Sequence, residues 1–381
     1  MITNVIPSRI TEARESRAMS MEDLAERIHV TRQSVSKYER GIVCPSPETL
    51  QTISFSLDFP IEFFYKPEAD SNAKASPLFF RSNSTALKKV KLACKYQIKW
   101  VNEIKRQLEE YVDLIECDVP TIDKEYETLT PEDIEELALE VRDKWRLSDK
   151  PIGDLIGILE NRGIIVTRFA TSKFCPFNKI DAFSSWKDGT PYILYHPEQK
   201  SAVRTRFSIC HELGHLIMHS AITDSDSIRK DIVDLADEQA DRFAAAFLLP
   251  ATSFPNDIHG TSILALESIK AKWGAALSTM IRRCKTLELL TDNQVDYLQR
   301  QMSTNRYWRK EPLDDKLTIQ QPELLRDAIK LIVDEQVTSK KTFLEECAMS
   351  QRDVQTICEL PDDFFDDFTY RKKPVLRLVT P

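Results

Sequence analysis

No Cys-x-x-Cys pair occurs in this 381-residue chain. Its eight cysteines (Cys44, Cys94, Cys117, Cys175, Cys210, Cys284, Cys347 and Cys358) are scattered, which excludes a cysteine-built zinc site and argues for reduced thiols over a disulfide framework. Long apolar runs are missing too, so no membrane span is expected. The first residues, Met1-Ile-Thr-Asn-Val-Ile-Pro7, lack the charged start and apolar stretch of a secretory signal, and the expected compartment is the cytoplasm. An overall basic charge is absent: 52 Lys and Arg face 60 Asp and Glu, for a net charge of −8. Any contact with nucleic acid must therefore use a local patch. There is no long internal repeat and no low-complexity tract. Histidine is scarce, with six in all, yet His211, His215 and His219 fall within nine residues. Such clustering demands a chemical reason.

What is present is ample for two or three domains with cores of their own. The fold class expected is mainly α with a small α+β domain. Residues 6–66 read as five short helices, with Ser20 and Thr31 as N-caps, Gly41 as a stop, and Pro47 and Pro60 opening the last two. Residues 67–130 form a connector whose strongly basic stretch runs from Arg81 to Arg106 with helical apolar spacing. Amphipathic helices follow at 131–145 and 152–161. The period then changes to that of strands at 164–167, 182–186 and 191–195, the last two joined by the hairpin turn Lys187-Asp-Gly-Thr190. Helices resume at about 231–249, and 131–255 is read as one domain. Residues 256–381 are read as a helical C-terminal region of regulatory or oligomerising character. Lys341 to Glu359 has a faint helix-turn-helix rhythm, but its acidic balance argues against DNA.

In the N-terminal region, Leu24-Ala25, a short turn and Thr31-Arg-Gln-Ser-Val-Ser-Lys-Tyr-Glu-Arg-Gly41 have the outline of a helix-turn-helix. Gln33 suits bidentate pairing with adenine and Ser34 can bond several bases. Arg32, Lys37 and Arg40 are placed for phosphates, while Val35 and Tyr38 pack inward. The basic stretch after it either extends the phosphate footprint or is a solvated face.

The central stretch reads His211-Glu212-Leu213-Gly214-His215, an H-E-x-x-H inside an apolar helix. Positions four apart share a face, so both imidazoles reach one metal ion, with Glu212 as the base for a water bound to that metal. A catalytic zinc site needs a third protein ligand. Asp237 lies three residues before Ala240 and seven before Ala244, on the inward stripe of the following helix, while Glu238 is rotated by about 100°. Asp237 is the first choice and Glu238 the alternative. Asp241, one turn on, suits a hydrogen bond to the far nitrogen of a ligating histidine, and His219 suits a packed or supporting role. Tyr192, Tyr195 and His196 lie near an expected edge strand and are candidates for oxyanion help, and a substrate peptide could add to that edge.

Two resemblances sharpen this. Ser20, Leu24-Ala25, Gln33, Ser36, Glu39 and Gly41 resemble the Cro/C1-type (XRE) helix-turn-helix domain. Arg204, Arg206, Phe207, Ser208, His211 to Leu216, His219, Asp237, Ala240, Phe243, Ala244, Leu248 and Pro250 resemble the ImmA/IrrE metallopeptidase family. The second resemblance implies a zincin-like fold, a Zn2+ cofactor (or another divalent ion such as Mn2+) and endopeptidase activity on a repressor or other regulatory protein. The first implies a DNA operator as partner and a homodimer spanning two half-sites. The family usually has Glu where this chain has Asp237, which leaves the ligand identity open. The alternative is a transcription factor whose protease-like domain is a non-catalytic sensor or structural metal site.

Overall fold

The computed structural model describes residues 4–67, 85–122, 124–170, 180–196, 201–222 and 229–366. Residues 68–84 of the connector expected at 67–130, with Arg81, lie outside them, as does Cys175. Fifteen α-helices and one small sheet make up the described residues.

The chain opens with α1 (Pro7–Ser16), α2 (Met21–Arg27), α3 (Arg32–Glu39) and α4 (Pro47–Leu57), then a 3-10 turn at Ile61–Phe64. The caps are those the sequence predicts. Ser20 accepts from the Asp23 N–H in a reciprocal capping box, Thr31 accepts from Ser34, and Ser46 precedes Pro47. Helix α5 (Thr85–Glu109) runs behind this bundle. Its charged side chains divide between solvent and protein: Lys88, Lys89, Lys95 and Arg106 are exposed, as a solvated face requires, and others turn to the bundle. Lys99 and the Trp100 indole N–H both reach Glu12 of α1, and Glu103 faces Arg9. Lys105 pairs with Glu109 and Lys89 lies 3.6 Å from Asp23. Its basic residues therefore spend much of their charge on protein carboxylates.

Next come α6 (Pro131–Lys144), α7 (Leu155–Glu160), β1 (Ile165–Arg168), β2 (Ala182–Lys187) and β3 (Thr190–Tyr195). The sheet order is β1-β3-β2, with β3 parallel to β1 and antiparallel to β2. The β2–β3 turn places Asp188 and Gly189 at positive φ, as a two-residue hairpin turn requires. Helices α8 (Ala202–Met218) and α9 (Lys230–Leu248) follow, then α10 (Ile263–Trp273), α11 (Leu277–Thr286), α12 (Asp292–Thr304), α13 (Leu324–Asp334), α14 (Lys340–Cys347) and α15 (Gln351–Ile357).

Because β3 is the central strand, it is not the edge expected from sequence; β2 and β1 are the edges. The sheet has both faces covered. Ile165, Phe183, Tyr192 and Leu194 join the core built with α1–α5 and α13–α15. Val166, Ile193 and Tyr195 join the core built with α6–α12. The C-terminal region is thus divided: α10–α12 complete the core around α8 and α9, and α13–α15 return to the N-terminal bundle. A buried Arg17–Asp353 ion pair at 2.7 Å marks that return.

Glu160, at the end of α7, holds the start of α13. Its carboxylate accepts the Glu323 and Leu324 backbone N–H groups at 3.0–3.1 Å. Burial nevertheless raises its pKa from 4.5 to about 7. A carboxyl whose folded pKa lies above its unfolded value binds its proton more tightly when folded. Its stabilising contribution is complete below pH 4.5 and is lost as pH rises through about 7. Glu160→Gln is expected to remove that part of the pH dependence, read as a flatter urea-unfolding stability between pH 4.5 and pH 7.

Candidate metal centre and DNA-facing helix

Helix α8 is held in place along its first turns by two arginines. Arg206 donates to the Ile152, Gly153 and Gly274 carbonyls, and Arg204 to those of Tyr307 and Trp308. This gives the two arginines of the sequence motif a structural role. Farther along, α8 crosses α9 closely at Gly214, where a Cβ would meet the Ala240 Cα at 3.2 Å. The close crossing brings the inward face of α9 to the histidines.

The His211 and His215 Nε2 atoms lie 3.0 Å apart, and Asp237 Oδ1 lies 3.8 and 3.5 Å from them. Donors at about 2.1 Å around a tetrahedral zinc are roughly 3.3–3.4 Å from one another, and the three observed separations bracket that value. Glu238 is exposed. Among the described residues, His211, His215 and Asp237 are the one group of metal-ligating side chains that converges in this way.

The hydrogen bonds behind the cluster fix its protons. Gln239 Nε2 donates to the Tyr126 carbonyl at 2.7 Å, so its Oε1 faces His219 Nε2 at 2.9 Å and accepts from it. His219 Nδ1 is then an acceptor, and His215 Nδ1–H donates to it at 3.0 Å. On the other side His211 Nδ1–H donates to Asp241 Oδ1 at 2.8 Å, and Asp241 Oδ2 faces Arg282 at 3.3 Å. Both imidazoles therefore have Nδ1 engaged behind them and turn Nε2 to the centre, the atom a metal would take.

Electrostatics agree with a cation at this point. Burial disfavours charge on His211, but Asp237 and Asp241 outweigh it and raise its pKa to about 9. Burial lowers His215 to about 3 and His219 to about 4. Asp237 is partly buried, which favours its neutral form, yet the two imidazoles hold its carboxyl well below the usual range. The donor set, two imidazoles and a carboxylate, fits a zinc-like divalent ion.

Glu212 is buried next to His211 in the chain, and the Ser184 hydroxyl of β2 donates to its Oε2 at 2.6 Å. Sequence reasoning missed Ser184, Gln239 and Arg282. Gln239 had a signal, since it sits inside the motif carrying Asp237; Ser184 and Arg282 are brought in only by the fold. The oxyanion candidates fare differently. The Tyr192 hydroxyl donates to Asn102 of α5, on the sheet face away from α8, because alternate residues of β3 point to opposite faces. Tyr195 is buried in the sheet, and the His196 ring stands edge-on to Phe169, 5.2 Å away. Gln239→Leu is expected to free the His219 ring and weaken metal binding about 10–100-fold, measurable by chelator-competition titration.

In the N-terminal bundle, α3 and its C-cap leave Arg32, Gln33, Lys37 and Arg40 exposed, Ser34 half-buried and Val35 buried. Thr31 caps Ser34, and Arg14 anchors Glu39 at 2.6 Å. Arg32 lies 2.5 Å from Glu22, and Arg40 donates to Ser36. The side chains expected to read bases and phosphates share an open surface.

Among the described residues no helix is long and apolar enough to cross a membrane. The family profile described as helix-turn-helix matches residues 10–64, and the one described as IrrE N-terminal-like domain matches residues 173–285. Two curated relatives, from Sinorhizobium medicae (strain WSM419) and Rhizobium meliloti (strain 1021), are described as uncharacterized HTH-type transcriptional regulators. Each is 31% identical over 80 residues, which is 21% of this chain and 58% of the relative. The chain thus spans little more than half the length of these relatives. It combines an N-terminal helix-turn-helix domain of the Cro/C1 (XRE) type with a peptidase-family domain of the ImmA/IrrE type.

Proposed function

We propose that this protein is a DNA-binding transcriptional regulator with a zinc-dependent endopeptidase domain that acts on a repressor or another regulatory protein. The observation that carries the peptidase half is the convergence of two imidazole Nε2 atoms and the Asp237 carboxylate within 3.8 Å of one another. His211, His215 and Asp237 would hold the ion. The shorter arm of Asp237, compared with the family's usual Glu, is met by the close α8–α9 crossing at Gly214. A zinc ion held there would lower the pKa of a bound water to roughly 7 and polarise the scissile carbonyl.

The remaining work falls to the chain's own side chains. Glu212 takes the proton from the attacking water and passes it to the leaving amine. Ser184 fixes the direction of that carboxylate. Asp241 and His219 hold the ligand imidazoles by their Nδ1 atoms. Among the described residues β2 pairs with β3 alone, although its Phe183–Ser185 segment is buried, and β2 is the edge to which an extended substrate segment would add as a strand.

In the DNA-binding half, Gln33 and Ser34 read bases while Arg32, Lys37 and Arg40 hold phosphates. The exposed face of α3 and the relatives' descriptions support this reading. A homodimer would set two such helices on adjacent half-sites.

Metal removal tests the peptidase half. Elemental analysis of the purified chain should find one divalent ion per molecule. A chelator should abolish cleavage of a regulatory-protein substrate, and added Zn2+ or Mn2+ should restore it. A metal-free chain that keeps its full biological output would refute this reading.

A further inference from the structure

The last three helices repeat the geometry of the first. Helix α2 begins after Ser20 and α3 after Thr31; α14 begins after Ser339 and α15 after Ser350. Both pairs of caps are eleven residues apart. Each connecting turn has one residue at positive φ, two positions before the second cap: His29 at 56° and Ala348 at 52°. The buried positions correspond as well, with Leu24, Ile28 and Val35 matched by Phe343, Cys347 and Val354.

The exit from the unit repeats that of α4. Asp58 and Glu359 both adopt positive φ, at 56° and 53°. Phe59-Pro60 and Leu360-Pro361 follow, and the next turn closes through Phe63 N–H to Pro60 O at 3.1 Å and Phe364 N–H to Pro361 O at 2.9 Å. The rings of Phe63 and Phe64 stand edge-on at 5.5 Å and 88°; those of Phe364 and Phe365 stand at 5.0 Å and 89°. Helix α15 thus starts as α3 does and ends as α4 does, with the intervening loop lost.

The second unit does not present its helix as the first does. Asp353, Val354, Gln355 and Ile357 are buried, at the positions corresponding to Ser34, Val35, Ser36 and Tyr38. Asp353 takes the Arg17 guanidinium, which also donates to the Leu57 and Asp58 carbonyls at the exit of α4. Lys66 donates to the Glu346 and Cys347 carbonyls at the C-terminal end of α14, where a cation is favoured. From the other end of α15, Glu359 pairs with Arg168 of β1, and the Ile357 carbonyl accepts from Thr167. One short helix is therefore bonded at one end to the DNA-binding bundle and at the other to the peptidase sheet.

We propose that residues 324–366 are a contracted second helix-turn-helix unit that has exchanged base reading for docking, its α15 clamping the DNA-binding domain to the β1 edge so that each responds to the other. The unit lies outside both matched family regions, and its role does not depend on catalysis.

Hydrogen exchange of the full chain tests the clamp, comparing wild type with Asp353→Ala and Glu359→Gln. Asp353→Ala should speed opening about threefold or more at β1 as well as around Arg17, and Glu359→Gln should do so around Arg17 as well as at β1. Protection of α8 should stay at the wild-type level. If Asp353→Ala unmakes the fold, Asp353→Asn replaces it and should give the same pattern. Changes confined to the contact that was removed would overturn the proposal. So would uniform loosening that includes α8 in the conservative variants, because α15 would then be part of one cooperative unit rather than a link.

Discussion

Glu212→Gln is expected to slow peptide-bond hydrolysis by about 10²–10⁴-fold, the usual contribution of a positioned general acid–base. The substitution keeps the size and shape of the side chain and still accepts the Ser184 hydroxyl bond through its amide oxygen. It removes the ability to take up a proton. Metal content should stay at the wild-type level, because Glu212 is not among the converging ligands and their orienting bonds run through Asp241, His219 and Gln239. Thermal stability should change little. The informative comparison is between cleavage of a regulatory-protein substrate and biological output in the same variant. Loss of both supports an enzyme whose product is the signal. Output that survives the loss of cleavage favours the sensor alternative, in which the metal centre is read rather than used.

Gly163→Ala is expected to cost roughly 2–4 kcal/mol of stability, combining a left-handed backbone with a clash that cannot relax cheaply. Gly163 sits at φ +72° between α7 and β1, and a Cβ there would lie 2.6 Å from the Glu116 carbonyl oxygen and 2.7 Å from the Cys117 Cα. These are backbone atoms, pinned by the Asp118 N–H bonding to the Arg162 carbonyl at 3.0 Å. Gly189→Ala provides the control. It has nearly the same φ, +77°, but nothing lies within 4 Å of its Cβ position. Its cost should be about 1 kcal/mol, the left-handed penalty alone. Urea unfolding of the two variants separates the terms. Equal losses would mean that the approach of residues 116–117 contributes nothing.

What could be read from sequence was what local chemistry decides. Ser20 and Thr31 cap their helices because a hydroxyl next to an exposed N–H acts within one turn. The i, i+4 spacing of His211 and His215 needed only helix geometry. Asp237 followed from the same periodicity applied to the next helix, and its position facing the histidines depends on the packing of Gly214 against Ala240. The basic face of α5 shows where such reasoning stops. Its lysines suggest phosphate or solvent, and the partner of Lys99 is Glu12, 87 positions earlier in the chain. Ser184 is a polar residue in a strand until the fold sets it against Glu212. Taking β3 as an edge failed for a related reason: strand order is set by the crossover from β1, which carries no local signature.

The doubly covered sheet has a practical consequence for dissecting the protein. Homology boundaries divide the chain at residue 173, yet β1, at Ile165–Arg168, lies before that point and pairs along β3. A fragment starting there would lack one strand and also α5, which packs on the sheet, and would expose Phe183, Tyr192 and Leu194. Expressed alone it should aggregate. The peptidase-family module recognisable by ancestry is thus not a separable part: residues outside its matched boundary serve as its scaffold.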